Sequence, residues 1–490
     1  MTDQFILVLD EGTTSTRAML FGVDGRQHGV SQRELTQYYP HPGWVEHDAA
    51  EIWEKTLACA RQIVEQAGAA DRVAAIGITN QRETVVAWDR QTGEPLSRAL
   101  VWQDRRTAGF CAELKAAGHE AAVQAKTGLL LDPYFSASKM RWLIENDPTV
   151  SAAAQDGRLA LGTVESWLTF KLTGGLHISD ASNASRTLLL GLEGESFDPQ
   201  LCELFGVPMG ALPTVVDNAG KLAMTSPEVF GRAIPITGMA GDQQAATIGQ
   251  ACLKPGDTKV TYGTGAFILT CTGEALPCSD NRLLGTILCQ LEGERLYAVE
   301  GSVFVAGSLI KWLRDSLGII ETADETEALA RSIDDSHGVV IVPAHTGLGA
   351  PHWQPDARGV ISGLSFAAGK AHLARAALEA MSYQTHDLAQ AYAADGVRWT
   401  SLRIDGGMSA NDWMVQDIAD LLDLPVIRPD FVETTALGAA MLASVGAGMH
   451  ATLEEAARAM IGSTATFRPK MSEERRKQRL AAWAEALAKV

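Results

Sequence analysis

The apolar run Phe5-Ile6-Leu7-Val8-Leu9 stops at a carboxylate, Asp10, and continues as Glu11-Gly12-Thr13-Thr14-Ser15-Thr16-Arg17 before apolar residues resume. A run without polar alternation fits a strand covered on both faces, and Thr16 to Phe21 reads as the returning arm of a hairpin. Acid, glycine and hydroxyls then meet at one rim of a buried sheet. Backbone N–H and side-chain O–H donors beside a carboxylate suit a metal-bound polyphosphate. One such turn alone is equally an ordinary polar hairpin, so the rest of the chain has to decide.

Val73 to Thr79 and Thr84 to Trp88 read as strands around the polar cluster Asn80-Gln81-Arg82-Glu83. Ahead of them, Asp48 and Glu51 have the spacing of a capping box, and Trp53, Leu57, Ala60, Val64 and Ala67 form a helical stripe ending at Gly68. Thr258 to Tyr262, Gly263-Thr264-Gly265 and Ala266 to Thr270 repeat the opening pattern, which suggests two related domains facing one another. Further stripes run through Leu309, Trp312, Leu313 and Leu317, closed by Gly318, and through Leu373, Ala377, Ala380, Met381, Gln384 and Leu388. Leu402 to Asp405 reads as a strand ending in Gly406-Gly407, followed by an amphipathic helix from Asp412 to Asp423. Adjacent glycines let a flat ring or a ribose come close to the backbone. Ser472 to Val490 reads as one solvated helix, and the domain change falls near residue 249.

A chain of 490 residues exceeds one ordinary core. With 41 basic against 59 acidic residues, the net charge of −18 argues against a nucleic-acid surface built on general positive charge. Seven scattered cysteines without a C-x-x-C pair indicate neither a zinc site nor a disulfide framework. Met1-Thr2-Asp3-Gln4 carries no basic n-region, and no segment approaches the roughly 20 apolar residues that span a bilayer. A cytoplasmic protein without membrane insertion is expected.

Two nucleotide motifs fail. Gly369-Lys370 is followed by Ala371 and lacks the P-loop glycine spacing, and Gly347-Leu348-Gly349-Ala350-Pro351-His352 lacks the third glycine of a dinucleotide fingerprint. No protein-kinase signature occurs. What remains is the turn at Asp10 to Arg17, its counterpart at Gly263 to Gly265, the double glycine, and Gly241-Asp242-Gln243-Gln244 after the apolar run Ile234 to Ile236. Asp242 alone would be a helix cap more often than a site; beside three ligand-approach turns it becomes a candidate.

This combination resembles the FGGY carbohydrate kinases. Tyr134-Phe135-Ser136-Ala137-Ser138-Lys139-Met140-Arg141-Trp142-Leu143 is similar to the first family signature, and Thr346-Gly347-Leu348-Gly349-Ala350-Pro351 through Gly363 to the second. The likeness runs from Phe5 to about Arg468, and Thr79-Asn80-Gln81-Arg82-Glu83-Thr84 has the form used by members that act on glycerol. It implies an α/β fold of two actin-like ATPase (ribonuclease H-like) domains around a central cleft. Residues 1–248 would bind glycerol, phosphates and Mg²⁺, and residues 249–490 the nucleotide.

The resemblance implies ATP-dependent phosphorylation of glycerol to sn-glycerol 3-phosphate, with Asp242 as general base and Asp10 holding Mg²⁺ through water. Glycerol would meet Arg82, Glu83, Trp102, Tyr134, Asp242, Gln243 and Phe267, which combine donors, acceptors and an apolar wall. Thr13, Thr14, Ser15, Arg17 and Thr264 would bind phosphates, and Gly307, Lys311, Gly407 and Asn411 the nucleoside end. It also suggests a homodimer or homotetramer. Arg82 and Glu83, adjacent in sequence, can reach one ligand only from a turn.

Three departures stand out. Glu11 replaces a usual glutamine and is expected to add negative charge beside the phosphate turn; Lys311 also replaces a glutamine. The segment between Glu228 and Pro235 is shorter than in regulated relatives, which implies insensitivity to fructose 1,6-bisphosphate. Two alternatives stay open: an FGGY kinase for another polyol or ketopentose, and an actin-like assembly ATPase with no polyol pocket.

Overall fold

In this computed structural model residues 4–490 are described, apart from 67, 69, 353 and 355. The opening hairpin forms as expected. Phe5–Glu11 pairs antiparallel with Ser15–Gly22, placing Asp10 opposite Arg17 and Glu11 opposite Thr16. Phe5–Glu11 also pairs in parallel with Val73–Asn80, which pairs in parallel with Pro235–Gly241. Ala219–Met224 and Gln27–Glu34 form the edges of this six-stranded sheet. The three parallel strands end together, with Glu11 beside Asn80 and Asn80 beside Gly241.

A seven-stranded sheet repeats the scheme in the second half. Asp257–Tyr262 turns into Ala266–Gly273 and pairs in parallel with Ser401–Asp405, so Thr261 and Asp405 lie side by side. Glu294–Val303 follows Ala266–Gly273 in the sheet, and Leu284–Leu291 forms its edge. The chain is thus an α/β protein built on two sheets of related topology.

The halves interlock. Helix Thr434–Gly446, late in the chain, lies on the first sheet, where Ala436, Leu437 and Ala439 to Ala443 share a core with Ile6, Val8, Met19, Phe21 and Ala75. It crosses helix Asp242–Gly249 in backbone contact. A Cβ built at Gly438 would lie 1.8 Å from the Ala245 carbonyl oxygen. Since backbone cannot step aside as a side chain can, Gly438→Val should lower stability by about 3 kcal/mol. An unchanged melting temperature in that variant would contradict the close crossing.

Four local expectations need correction. The capping box is half formed: Asp48 accepts the Ala50 N–H at 2.9 Å, but the Glu51 carboxylate turns to Thr36 and Lys55. In helix Ala49–Gln66 Ala60 and Val64 are buried as expected, but the stripe centres on Ile52, Thr56, Cys59 and Ile63, with Trp53 and Leu57 at its margin; Ala67 lies outside the described residues. Gly307–Asp315 ends before Gly318, leaving Leu317 exposed. The C-terminal helix, Glu473–Leu487, is solvated over most of its surface but docked by one face: Trp483 is buried, stacks on Tyr383 at 5.1 Å and donates to Asp387 at 2.9 Å. Its Arg479 pairs with buried Asp417. A single tryptophan on a charged helix gave the sequence too weak a period to reveal that face.

Candidate active site

Strand ends deliver the phosphate turn. Asp10 is buried at the end of its strand and paired with Arg17, whose other arm reaches Glu433 at 2.5 Å. Burial raises the Asp10 pKa against the opposing Arg17 charge, and Glu433 raises it further. The hydroxyls of the turn diverge. Thr13 accepts from the Trp102 indole at 2.9 Å, Thr14 is exposed, and Ser15 accepts from Gln32 at 3.0 Å. From behind, Gln81 donates to the Gly12 carbonyl at 3.1 Å and its amide lies 3.4 Å from the His47 ring. Burial pushes His47 down to about 4, which keeps it neutral.

Glu11 does not face this turn, contrary to expectation. Strand alternation sends it to the opposite face, where it is fully buried and accepts hydrogen bonds from the Thr16 and Thr56 hydroxyls. Burial pushes its pKa up to about 8. At neutral pH it is therefore an uncharged group, close in shape and polarity to a glutamine.

Arg82 and Glu83 do sit in a turn. The Thr84 N–H reaches back to the Arg82 carbonyl at 2.8 Å, and Glu83 takes a φ of 63°. A side-chain-bearing residue in that region carries strain that marks functional turns. The Arg82 guanidinium lies 3.3 Å from the Asp242 carboxylate, 2.6 Å from Glu300 and 3.4 Å from the Tyr134 hydroxyl. Trp102 meets Tyr134 edge-on at 5.7 Å and Phe267 at 6.5 Å, so three rings from separate segments come together beside Arg82.

Asp242 opens helix Asp242–Gly249, directly after the strand Pro235–Gly241. Its side chain keeps 32% exposure. Desolvation raises its pKa, with Arg82 and Lys259 pulling the other way. Gln243 accepts from the buried Lys259 ammonium at 2.7 Å, and that ammonium also reaches Thr261 at 3.0 Å.

Thr264, Gly307, Lys311, Gly407 and Asn411 line one cavity of about 470 Å³. Gly406 shapes its wall: it takes a φ of 86°, and a Cβ there would lie 2.4 Å from the Tyr262 carbonyl oxygen. Gly407 next to it has open space. Asn411 serves partly as a cap, since its Oδ1 accepts the Met414 N–H at 2.9 Å and opens helix Asp412–Leu422. A larger cavity of about 710 Å³ lies elsewhere, around Lys126, Asp198 and Cys278, and holds none of the expected site residues.

Arg186, Lys259 and Glu300 escaped the sequence reading. Each is buried, and Glu300 breaks the apolar stretch Leu296 to Val299 of its strand. A charge inside an apolar strand was the available signal, because a buried charge must have a partner.

Profiles of the FGGY family of carbohydrate kinases match twice, the N-terminal domain over residues 5–249 and the C-terminal domain over residues 258–447. A glycerol kinase of Dechloromonas aromatica is 52% identical over 99% of this chain and 97% of its own length. One from Sinorhizobium fredii is 53% identical over 99% of this chain and 98% of its length. Plasmodium falciparum glycerol kinase, solved with ADP, superposes with a TM-score of 0.95 at 34% identity, covering 99% of this chain and 98% of that one. With both halves matched in order and relatives of this identity along the whole length, the chain belongs to the FGGY family of carbohydrate kinases.

Proposed function

We infer that this chain is an ATP-dependent kinase that phosphorylates glycerol to sn-glycerol 3-phosphate. The observation that carries the substrate is the Arg82–Asp242 pair, 3.3 Å apart, beside the Trp102–Tyr134–Phe267 wall. A three-carbon polyol needs paired donors and acceptors on one side and an apolar surface on the other. Relatives named for glycerol support the same substrate.

Phosphoryl transfer asks for positioning and charge stabilisation more than covalent work. Asp242 takes the proton of the attacking hydroxyl as the new O–P bond forms and the bond to the ADP oxygen breaks. Arg82 and Glu83 orient the polyol. Gln243, its oxygen held by Lys259, would use its amide N–H as the donor to the polyol. Thr13, Thr14, Ser15 and Arg17 receive phosphates from one side and Thr264 from the other, while the 470 Å³ cavity takes the nucleoside.

Mg²⁺ fits beside Asp10. The Asp10 carboxylate feels Glu433 on one side and acts on Asp242 on the other, and among the described residues no cluster of three or more His, Cys, Asp or Glu forms a cage. An ion that takes one carboxylate, substrate phosphates and water suits such a place. When bound, it supplies positive charge to the phosphates.

Residues 1–248 carry polyol and phosphate recognition in this proposal, and residues 249–490 the nucleotide. No helix among the described residues is long and apolar enough to cross a membrane. We place the protein in the cytoplasm as a homodimer or homotetramer, without nucleic acid.

The deciding assay is ADP release from Mg-ATP with glycerol, xylulose, ribulose, erythritol or no polyol. Turnover with glycerol and formation of sn-glycerol 3-phosphate is expected. Turnover with a larger sugar alone would overturn the substrate, and equal slow loss of ATP in every arm would favour an assembly ATPase. Arg82→Ala should raise the glycerol KM by about a hundredfold and the ATP KM by less than about threefold. An effect confined to ATP would remove Arg82 from the polyol pocket. Fructose 1,6-bisphosphate should leave the rate unchanged; clear inhibition would show a control that the short segment after Glu228 is not expected to provide.

A further inference from the structure

We propose that Glu300 and Arg186 are positioning residues for the polyol pocket: through a closed ring of four buried charges they hold Arg82 in place and keep its charge from settling on Asp242. The proposal rests on the roles given above to Arg82 and Asp242. The ring runs from Arg82 Nη1 to Glu300 Oε2 at 2.6 Å, from Glu300 Oε1 to Arg186 Nη2 at 2.9 Å, from Arg186 Nε to Glu83 Oε1 at 2.7 Å, and back to Arg82 Nε at 3.9 Å. None of the four side chains exceeds 2% exposure. Two positive and two negative charges leave the ring neutral.

Such a ring is a poor device for stability alone, since desolvating four ions offsets most of their attraction. Its geometry suggests a different use. Arg82 Nε stands 3.3 Å from Asp242 Oδ1, while Nη1 is drawn to Glu300. Burial alone would raise the Glu300 pKa, but Arg186 and Arg82 outweigh it and hold the carboxyl at about 2. Glu300 is therefore ionised at any working pH and shares the Arg82 charge. Without it, the carboxylates left to Arg82 would be Glu83, itself shared with Arg186, and Asp242. The groups acting on Asp242 are Arg82, Lys259, Asp10 and the Gln243 N–H. A fuller Arg82 charge among them would make Asp242 a weaker base.

The anchors of the ring are fixed to the catalytic scaffold. Arg186 follows the short helix Ala181–Ala184, which Asp180 caps through the Ser182 and Asn183 N–H groups. Asn183 pairs with Asn80 at the end of its strand, and the Gly241 N–H, one residue before Asp242, donates to Ser182 at 3.0 Å. Glu300 comes from the second sheet, opposite Leu269 on the strand that carries Phe267. The ring thus closes only when the two halves are in register, which ties polyol recognition to the placement of the nucleotide half.

Glu300→Gln, Glu300→Asp and the double variant E300Q/R186M, assayed with wild type across pH, test the proposal. Glu300→Gln should raise the glycerol KM about tenfold to a hundredfold, change the ATP KM by less than about threefold, and move the acid limb of kcat down by about one pH unit. Glu300→Asp keeps the charge and should keep the acid limb in place. The double variant is neutral like wild type and frees Glu83 for Arg82; it should raise the glycerol KM about tenfold with little shift of the limb. It carries the test alone if Glu300→Gln does not fold. A folded Glu300→Gln or double variant with wild-type glycerol KM would overturn the proposal. So would equal losses in Glu300→Gln and Glu300→Asp without any pH shift, the mark of a merely structural role. Wild type inactive with glycerol would defeat the underlying function, whereas active wild type beside unperturbed variants defeats only the ring.

Discussion

Asp242→Asn is expected to cut kcat with glycerol by about 10² to 10⁴ while leaving ADP affinity within about threefold of wild type. Asparagine keeps the shape and an oxygen for the Gln243 N–H, which the Asp242 carboxylate accepts at 2.7 Å. It removes the proton acceptor, and Arg82 keeps Glu300 as its partner. Steady-state kinetics paired with ADP calorimetry separate the two effects. Near-wild-type turnover would take Asp242 out of the mechanism. In wild type, burial raises the Asp242 pKa from its ordinary 3.8, so activity should fall with acid on a limb above that value, and this limb should vanish from the residual rate of the variant.

Glu11→Gln is expected to stabilise the protein, and by more as the pH rises. The carboxyl titrates near 4.5 when unfolded and at about 8 in its buried place. Between those values the unfolded chain sheds a proton that the folded chain keeps. Wild-type stability therefore drops by about 1.4 kcal/mol per pH unit through that window, or about 3 kcal/mol by pH 7, and levels off above it. Glutamine has no proton to lose. Protonated Glu11 already leaves Oε2 without a protein partner, so the amide that takes its place costs little extra. The melting temperatures should agree near pH 4.5 and diverge toward pH 8. A gap independent of pH would mean that Glu11 is ionised in the fold.

The rim of candidate site residues was legible because it is local. Asp10, Arg82, Asp242 and the Gly263–Gly265 turn each follow a strand, and a strand end announces itself by where apolar residues stop. The three aromatic rings came from resemblance, since nothing local in Trp102, Tyr134 or Phe267 says that they meet. Glu300 and Arg186 were illegible for a similar reason: their meaning lies in each other, across 114 residues of chain. The side to which Glu11 points was derivable from alternation, because Asp10 at the rim puts its neighbour behind the sheet. The Trp483 face of the last helix needed the position of Tyr383, which only the fold supplies.

Helix Thr434–Gly446 bears on how the protein is made. It closes one apolar face of a sheet whose first strand begins at Phe5. On the ribosome that face stays open until residue 446 has cleared the exit tunnel, long after the strands it covers have emerged. The amino-terminal half therefore cannot mature first and wait, as independent domains do. Its exposed strands stay a target for chaperones through most of translation. A message truncated after codon 248 should yield an aggregating fragment and no stable half-enzyme.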